Sequence, residues 1–522
     1  MNRFAALLDA LLFTPARNGK LRLMQEYFAT VADPERGWAL AALTGELVFD
    51  EAKPNQVRAV AAARVDRELL DWSYDFVGDL AETVSLIWPA APGGEGHVPS
   101  LGEIVERLRN ASRAEVERLI EPWLDALDAT GRWALLKLVT GSLRIGVSAR
   151  LAKTALAEWG GVEVDRIEEI WHGLAPPYQP LFDWLEGRRP RPETGDLPTF
   201  CPLMLAQPLE NGDIADLDPR DYLAEWKWDG IRVQLVARGA ERRLYSRSGD
   251  EIGAAFPDIC AAMPADITLD GELLVVRDGE TAPFNDLQQR LNRKTPNQKL
   301  MRDFPARVRL YDILREGPED LRGLSFAERR GRLEAWYARE PRPALDLSPM
   351  VPFTSWDELR ELRDGARDRG IEGLMLKRAD SLYVAGRPKG PWFKWKRGAL
   401  TLDAVLMYAQ RGHGKRSSFY SDYTFGAWRG DELVPVGKAY SGFTDEELLR
   451  LDRWVRNNTV ERYGPVRVVT PQIVLEVAFD SVHRSTRHKS GVAMRFPRIH
   501  RIRWDKPFRE ADTLETLEKL LT

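Results

Sequence analysis

Cysteine is scarce in this chain of 522 residues, which contains only Cys201 and Cys260. Two cysteines cannot form the disulfide framework of a small secreted domain, and they cannot supply a four-thiolate structural zinc site. The six histidines show no spacing typical of metal ligands, so we expect no zinc. The low cysteine count favours a reducing compartment, and we therefore expect a cytoplasmic protein.

Long apolar runs are also missing. No stretch of about 18 uncharged apolar residues occurs, so the sequence predicts no membrane span. The apolar N-terminus might suggest a signal peptide, but Asp9 interrupts it and no small-residue cleavage site follows. Apolar residues at helical spacing predict a core-facing helix there instead, and these are Phe4, Leu7, Leu8, Leu11 and Leu12.

An excess of one charge sign is absent as well, because 75 Lys and Arg stand against 79 Asp and Glu and leave a formal charge of −4. Bulk charge alone would argue against a nucleic-acid partner. The distribution is uneven, however: residues 287–302, 386–416 and 483–506 together hold 21 basic and two acidic side chains, against 54 basic and 77 acidic elsewhere. Such local basic clusters can bind a duplex by counterion release although the whole chain is acidic.

Three regions that differ in composition and in the spacing of apolar residues follow one another along the chain. Residues 1 to about 190 are rich in Ala, Leu, Glu and Arg at 3.6-residue spacing, which predicts an all-helical region. Pro, Gly and charged residues cluster at 187–202 and indicate a linker. Short β-rich runs such as IRVQLVA, ITLDGELLVV and ARVRLYDIL then predict a mixed α and β domain.

After Lys396 the segments LDAVLMYA, YTFGAWRG, ELVPVGKAY and QIVLEVAF surround one helical segment, TDEELLRLDRWVRN. About five short strands in this space predict a small barrel. A length of 522 residues also agrees with three domains at roughly 100 to 200 residues each. We predict domains over 1–195, 196–398 and 399–522.

The segment EWKWDGIR, residues 225–232, carries the clearest chemical signal. A lysine that enters a tight turn with an acidic residue and a glycine, followed by an arginine, is what covalent nucleotidyl transfer requires. The amine attacks a phosphorus, while the arginine and a metal hold the surrounding charge. The structural alternative is a surface hairpin, because Asp-Gly is a common turn pair.

Further segments follow EWKWDGIR in a fixed order, and the set resembles the ATP-dependent DNA ligases, within the superfamily of lysine-adenylating ligases and mRNA capping enzymes. The segments are YSRSG (245–249), LDGEL (269–273), RLYDI (309–313), IEGLM (371–375), WFKWK (392–396) and RFPRIHRIRWDK (495–506). Upstream, FVGDL (76–80) and SLRIGV (142–147) resemble the helical DNA-binding domain of larger cellular and archaeal ligases. The resemblance implies an all-α DNA-binding domain, an α+β adenylation (nucleotidyltransferase) domain and an OB-fold β-barrel domain.

The resemblance also implies roles for individual residues. Lys227 matches the adenylated, catalytic lysine, and Tyr311 matches the aromatic residue that stacks on adenine. The implied ATP-binding residues are Glu225, Lys227, Arg232, Arg247, Glu272, Tyr311, Arg387, Lys394 and Lys396. Lys394 and Lys396 would bind phosphate from one strand face, because they are two residues apart. Arg387 and Lys389 both match an ATP-contacting arginine only loosely, and we favour Arg387.

Metal, pyrophosphate and DNA contacts follow from the same resemblance. Glu272 and Glu372 would hold Mg²⁺ together with water, and Mn²⁺ would be tolerated. The leaving pyrophosphate would be oriented by Arg498, Arg501, Arg503 and Lys506. DNA contacts would come from Gly78, Arg144 and Gly146, since glycines at helix starts let backbone N–H groups approach a phosphate.

Each of these residues also has a structural interpretation. Asp270 and Glu272 alternate on a strand, so one of them could be a solvated face residue. Tyr311 could belong to the core, and Lys394 and Lys396 could protect an edge strand. The glycines could serve close helix packing. Joint occurrence in order favours the functional interpretation.

The implied function is an enzyme, an ATP-dependent DNA ligase that joins a 3′-hydroxyl to a 5′-phosphate through a lysyl-AMP and a DNA-adenylate. Its partner would be nicked duplex DNA, encircled by a monomer. After lysine adenylation the barrel would swing about a hinge near residues 397–400. Replication, repair and recombination all use this chemistry, so the pathway stays open.

Three other functions are possible from the motifs. An RNA ligase or capping-type nucleotidyltransferase shares the lysine, but the helical-domain segments and the RIRWDK ending speak against it. An NAD-dependent DNA ligase would carry a four-cysteine zinc module, which two cysteines exclude. A DNA-binding protein without activity need not retain Lys227, Glu272 and Glu372 together.

Overall fold

The protein was analysed as a computed structural model. It describes residues 1–89, 97–141, 143–195, 197–210, 213–291, 293, 295–366, 371–412, 418–486 and 488–521. Ser142, the first residue of the SLRIGV segment, lies outside these residues. Tertiary contacts group the chain into two compact units. The first unit contains Met1–Val162, Pro176–Arg189 and Ala399–Thr522, and the second contains Glu163–Ala175 and Pro190–Gly398.

Every regular element in the described part of residues 1–189 is a helix, which confirms the predicted helical region. The helices are α1 Asn2–Phe13, α2 Arg17–Thr30, α3 Glu35–Thr44, α4 Pro54–Arg64, α5 Arg67–Val77, α6 Leu80–Ile87, α7 Leu101–Asn110, α8 Arg113–Ala126, α9 Ala129–Thr140, α10 Ala149–Trp159, α11 Val164–Trp171 and α12 Gln179–Leu185. Helix α11 belongs to the second unit.

Local sequence explains several of these helices. In α1 the residues Phe4, Leu7, Leu8 and Leu11 are buried and Leu12 is half-buried, as the helical spacing predicts. Asp and Ser residues accept backbone N–H bonds at the N-termini of α5, α6, α7, α9 and α10, because the first turn of a helix leaves its N–H groups unsatisfied. None of the described helices has both the length and the apolar character that a membrane span needs.

In its described residues, the second unit contains two sheets and five further α-helices. Its strands are β1 Gln207–Pro208, β2 Tyr222–Trp228, β3 Ile231–Arg238, β4 Glu241–Ser246, β5 Ile267–Arg277, β6 Glu280–Thr281, β7 Ala306–Glu316, β8 Glu319–Asp320, β9 Leu345–Leu347, β10 Met350–Val351, β11 Ile371–Arg378 and β12 Trp392–Lys396. The helices are α13 Pro257–Ala262, α14 Phe284–Leu291, α15 Gln298–Asp303, α16 Phe326–Arg339 and α17 Trp356–Gly365. The three strands predicted from IRVQLVA, ITLDGELLVV and ARVRLYDIL are confirmed as β3, β5 and β7.

The order of strands brings the chemical segments together. One sheet runs β1-β12-β11-β2-β10, and the other runs β4-β3-β5-β7-β8 with β6 beside β5 and β9 beside β7. Strands β2 and β3 follow one another in sequence but lie in different sheets, so the chain crosses between the sheets at Asp229 and Gly230. The hairpin alternative for this segment is therefore wrong.

The C-terminal part of the first unit is a second β-rich region. Its elements are β13 Leu400–Arg411, β14 Tyr420–Arg429, β15 Glu432–Ala439, α18 Asp445–Asn457, β16 Thr459–Tyr463, β17 Val466–Val469, β18 Val474–Phe479, β19 Ser481–Arg484, β20 Val492–Arg495, β21 Arg498–Arg503 and α19 Leu514–Glu518. The long strand β13 pairs with β14, β17 and β18, and β18 pairs with β21. The predicted strands and the single long helix α18 are confirmed, and the sheet is OB-fold-like. The predicted domain boundaries stay predictions.

Candidate active site

Lys227 lies near the end of β2, two residues before the crossing between the sheets. The crossing needs a glycine, because a Cβ on Gly230 would lie 2.5 Å from the carbonyl oxygen of Leu273 and 2.8 Å from Cγ of Glu272. Such distances are too short for any side chain. The close approach places the Lys227 segment directly against the strand that carries Glu272.

Lys227 is hydrogen-bonded to a carboxylate. Its Nζ donates to Oε2 of Glu372 on β11, and Nζ of Lys396 on β12 lies 3.5 Å from the same oxygen. Strand β11 is the neighbour of both β2 and β12, and Gly373 is in register with both Lys227 and Lys396. The sheet order therefore explains why one carboxylate serves two lysines.

Glu272 is the second carboxylate near Lys227. Burial raises the pKa of Glu272 to about 7; the cations Lys227 and Arg232 oppose this rise, and the carboxylates of Glu372 and Asp229 add to it. The described residues contain no group of three or more His, Cys, Asp or Glu side chains suited to a metal. The site thus offers two glutamates, a donor set that fits a hard divalent cation which keeps water ligands.

Basic side chains surround Lys394 on β12. Burial lowers the pKa of Lys394, and four nearby cations lower it further: Arg387, Lys396, Arg247 and Lys227. Residues predicted to bind the phosphates of ATP are thus brought together from four separate segments. Lys394 pairs with β1 on one side and with β11 on the other, so the edge-strand alternative is wrong for Lys394.

Arg232 on β3 belongs to a buried polar network. Its Nη2 donates to Oδ2 of Asp270 at 2.7 Å, and the hydroxyl of Tyr383 donates to the same oxygen at 2.6 Å. Gln234 Nε2 donates to the other Asp270 oxygen at 3.0 Å. Asp270 is fully buried, while Glu272 is half-buried. Of the two alternating acidic residues on this strand, Asp270 is therefore not exposed to solvent. Sequence analysis assigned no role to Tyr383.

Tyr311 on β7 is half-buried, so it is not a core residue. Nζ of Lys377 lies 4.4 Å from the centroid of its ring, and the guanidinium carbon of Arg232 lies 5.9 Å from it. Lys377 was missed by sequence analysis. The available signal was a lysine directly after the apolar run Leu374–Leu376 of this strand.

The predicted pyrophosphate residues lie on or just after β21, in the first unit, and form ion pairs there. Arg498 Nη1 lies 3.0 Å from Oδ1 of Asp480, and Lys506 Nζ lies 2.7 Å from Oδ2 of Asp403. Arg501 pairs with Glu476 at 3.1 Å, and Arg503 pairs with Asp505 at 3.0 Å and with Asp403 at 3.4 Å.

The predicted DNA contacts lie in loops between helices. The N–H of Gly78 donates to the carbonyl of Tyr74 at 2.7 Å and closes α5. A contact of Gly78 with DNA stays a prediction. Arg144 is exposed and has a positive φ of 48°. Nζ of Lys20 donates to the carbonyl oxygen of Gly146 at 3.0 Å. This contact uses the carbonyl group of Gly146 and not its backbone N–H.

Comparison with known proteins places the chain in a family. Residues 203–396 match the family described as "ATP dependent DNA ligase domain", and residues 416–506 match "ATP dependent DNA ligase C terminal region". A probable DNA ligase of Koribacter versatilis is 32% identical over 559 residues, which span 100% of this chain and 96% of that protein. The chain belongs to the ATP-dependent DNA ligases. The two family matches together contain all seven segments from EWKWDGIR to RFPRIHRIRWDK.

Other relatives of this ligase also match along nearly the whole chain. A probable DNA ligase of Anaeromyxobacter sp. (strain K) is 32% identical over 97% of this chain and 96% of its own length. DNA ligase 1 of Korarchaeum cryptofilum is 29% identical over 100% of this chain and 98% of its own length. A solved structure named "Pmar-Lig_PreS3" has a TM-score of 0.61 and a sequence identity of 16%. The match covers 96% of this chain and 99% of that chain. The ligase is therefore multi-domain, with a helical N-terminal region followed by nucleotidyltransferase and OB-fold-like sheet domains.

Proposed function

We propose that this ligase seals nicks in duplex DNA by joining a 3′-hydroxyl to a 5′-phosphate, with ATP as the adenylate donor. The observation that carries the proposal is the position of Lys227. Its amine is hydrogen-bonded to Glu372 and lies near both Glu272 and the basic cluster around Lys394. A nucleophile held between carboxylates and phosphate-binding cations suits covalent nucleotidyl transfer. The RNA ligase and capping alternative is not favoured, because relatives named DNA ligases match the whole chain.

In the first step Nζ of Lys227 attacks the α-phosphorus of ATP. A nitrogen–phosphorus bond forms, and the bond from that phosphorus to the pyrophosphate oxygen breaks. The amine must be neutral to attack, so it releases a proton to water before the bond forms. Oε2 of Glu372 accepts a hydrogen bond from this amine and thereby orients it. Lys394, Lys396 and Arg247 neutralise the phosphate charge that moves to the leaving group.

Glu272 and Glu372 would hold the divalent cation, Mg²⁺ or in its place Mn²⁺. The fit rests on their carboxylate oxygens and on the raised pKa of Glu272, because a bound cation favours the ionised carboxylate that burial disfavours. When bound, the cation stabilises charge on the phosphoryl oxygens.

The base of ATP would lie against Tyr311, with Glu225 and Arg232 beside it and Arg387 near the phosphates. Arg387 is among the cations that lower the pKa of Lys394, which supports the choice of Arg387. The pyrophosphate would be oriented by residues on or just after β21 of the OB-fold-like sheet, namely Arg498, Arg501, Arg503 and Lys506.

In the second step AMP passes from Lys227 to the 5′-phosphate at the nick, and in the third the 3′-hydroxyl displaces AMP. Both steps depend mainly on positioning and charge stabilisation. Strand β12 ends at Lys396 and β13 begins at Leu400, so residues 397–400 form a short connection suited to a hinge. The ligase would act as a monomer that encircles the duplex, with Gly78, Arg144 and Gly146 on the helical side.

Labelled nucleotides test this function directly. We expect the full chain to form a covalent adenylate from ATP and none from NAD, and no guanylate from GTP. Lys227→Ala should abolish the label, because the nucleophile is lost. Lys519→Ala, the same substitution at an exposed lysine of the C-terminal segment, should leave it unchanged. Label from GTP or NAD, or label that survives Lys227→Ala, would refute the proposal.

A further inference from the structure

A cavity of about 570 Å³ lies within the second unit, where strands β3 and β7 end, and the reaction steps above give it no role. We call it the β3–β7 cavity. Its charged lining includes Glu169 of α11, Arg191, Arg238 of β3, Arg315 of β7 and Arg322. Cavities of about 300 to 1,000 Å³ are of the size that takes small ligands.

Arg238 and Arg315 bring two guanidinium groups to the cavity from the same face of one sheet. Strands β3 and β7 lie on either side of β5. Nη2 of Arg238 donates to Oγ1 of Thr268 on β5 at 3.1 Å, and Thr268 is in register with Arg315. Side chains of residues in register point to the same side of a sheet, so the two guanidinium groups share that side.

Neither of these two guanidinium groups forms an ion pair with a described residue. Nη1 of Arg238 donates to the carbonyls of Ala237 at 2.7 Å and Ile267 at 3.4 Å. Nε of Arg315 donates to the carbonyl of Gly317 at 3.1 Å. Its Nη1 and Nη2 donate no hydrogen bond to any residue that the structure describes, so both nitrogens are available to a ligand acceptor.

The other charges of the lining largely balance one another. Oε2 of Glu169 lies 2.9 Å from Nη2 of Arg191, and its Oε1 lies 3.3 Å from Nη1 of Arg322. Nη2 of Arg322 in turn lies 2.6 Å from Oδ2 of Asp320. Glu193, the remaining described acid of the lining, is exposed. The unbalanced positive charge is therefore that of the two arginines on β3 and β7.

Arg238 and Arg315 repel each other. Burial lowers the pKa of Arg238, and the charge of Arg315 lowers it further, while Cys201, Asp266 and Asp320 oppose both effects. An arginine stays protonated in proteins, so the pair cannot relieve its repulsion by releasing a proton. A bound anion would relieve it, because an opposite charge nearby favours both guanidinium groups.

The cavity is separate from the proposed ATP site. Arg238 is six residues after Arg232 on β3, which is about 20 Å along an extended strand. None of the residues proposed to bind ATP or metal is among the described residues that line the cavity. A ligand bound here would therefore leave the place of ATP open.

We propose that the β3–β7 cavity binds a small phosphate-bearing anion through Arg238 and Arg315. The planar guanidinium fork matches two phosphate oxygens at once, which makes arginine suited to this ligand class. The DNA backbone is the less suitable occupant, because the exposed acids Glu193 and Asp320 at the cavity repel the many phosphates of a duplex more than one small anion.

Isothermal titration calorimetry of the full chain with pyrophosphate tests this inference. Pyrophosphate can also bind the phosphate residues of the proposed ATP site, so the titrations use the Lys394→Met chain, in which that site is weakened. We expect this chain to bind pyrophosphate. Adding Arg238→Gln or Arg315→Gln should weaken the binding by ~10-fold or more, because a charge-assisted contact is lost.

Arg220→Gln in the same chain is the matched control, because Arg220 is an exposed arginine of the second unit that pairs with Asp218, and it should leave the affinity unchanged. Absence of pyrophosphate binding in the Lys394→Met chain would overturn the inference. So would an equal affinity with and without the substitutions at Arg238 and Arg315. If Arg315→Gln does not fold, Arg238→Gln decides the question by the same titration.

Two further measurements distinguish the cavity from the ATP site and from DNA binding. With no other substitution, Arg238→Gln and Arg315→Gln should take label from ATP as wild type does, and loss of label would overturn the separation of the two sites. Both variants should also bind a nicked duplex as wild type does. Weaker duplex binding with unchanged pyrophosphate affinity would assign these arginines to the DNA backbone and overturn the inference.

Pyrophosphate binding in the β3–β7 cavity requires no lysine adenylation. Wild type that takes no label from ATP would therefore refute the proposed function and leave this inference standing. Normal labelling of wild type, together with pyrophosphate binding that is insensitive to Arg238 and Arg315, would refute only the inference about the cavity.

Discussion

Asp312 and Arg329 form an ion pair in which both side chains are fully buried. Arg329 Nε donates to Oδ1 of Asp312 at 2.8 Å and Nη2 donates to Oδ2 at 3.0 Å. Arg329 also donates to the carbonyls of Leu324 and Ser381. The pair joins helix α16 to strand β7 next to Tyr311, so it supports the position of a proposed adenine-binding residue.

We predict that Arg329→Met destabilises the protein by about 3 to 5 kcal/mol, because it leaves the Asp312 carboxylate buried without its partner. Urea-induced unfolding of the full chain measures the loss. Arg360→Met is the control, since Arg360 pairs with Asp357 at the surface and exposed pairs contribute little. Similar losses for the two variants would contradict the prediction.

Strand β11 connects the groups around Lys227, and its geometry depends on Gly373. This glycine has a φ of 143°, and a Cβ there would lie 2.3 Å from the carbonyl oxygen of Trp395 and 2.9 Å from Cα of Lys396. The register of β11 against β2 also shifts between Ile371 and Gly373. The close approach of β11 and β12 holds Glu372 near both lysines.

We predict that Gly373→Ala lowers lysine adenylation by ~10-fold or more although no reacting group is removed, because a displacement of about 1 Å costs up to ~100-fold. The readout is the rate of label transfer from ATP. Gly331→Ala in α16 is the control: nothing lies within 4 Å of a Cβ there, and alanine is the better helix former. Unchanged adenylation in Gly373→Ala would show that the two strands can separate without moving Glu372.

The strand β21 and the residues after it allow a second prediction at the level of an element. We expect Arg498→Ala and Lys506→Ala to impair lysine adenylation more than sealing of nicks that already carry AMP. The reason is that pyrophosphate leaves only in the first step. Parallel assays with ATP and with a pre-adenylated nick measure the difference, and equal loss in both would mean that these residues act mainly on DNA.

Over the whole molecule, the formal charge of −4 is a sum of opposed regions. Residues 287–302, 386–416 and 483–506 hold 21 basic and two acidic side chains, while the rest of the chain is acidic. Within the described residues, the second of these ranges contains Arg387, Lys394 and Lys396, and the third contains the β21 cations. Positive charge is thus concentrated in three ranges, and two of them contain residues that are proposed to bind phosphate or pyrophosphate.

We predict that binding to a nicked duplex weakens steeply with salt, by ~10-fold or more between about 50 and 200 mM, because each phosphate contact releases a counterion. Fluorescence anisotropy with a labelled nicked duplex measures this at several salt concentrations. Lysine adenylation, which involves only a small nucleotide, should change much less over the same range. Affinity that is independent of salt would contradict DNA binding by these clusters.

The sequence by itself determined the types of element and the order of the chemical segments. Alternating apolar residues predict strands such as β3, β5 and β7, and 3.6-residue spacing predicts the helices before residue 190, since both patterns are local. Lys227, Glu272 and Tyr311 could be named because each belongs to a short segment that resembles one of the ATP-dependent DNA ligases.

Only the tertiary structure decided which of these residues meet. Lys227 and Glu372 are 145 residues apart, and Lys377 and Glu225 are 152 apart, so no local pattern contains either pair. The register of β11 against β2 brings both pairs together. The crossing at Asp229 and the burial of Asp270 likewise depend on which strand packs alongside, because burial is a property of neighbours that are distant in sequence.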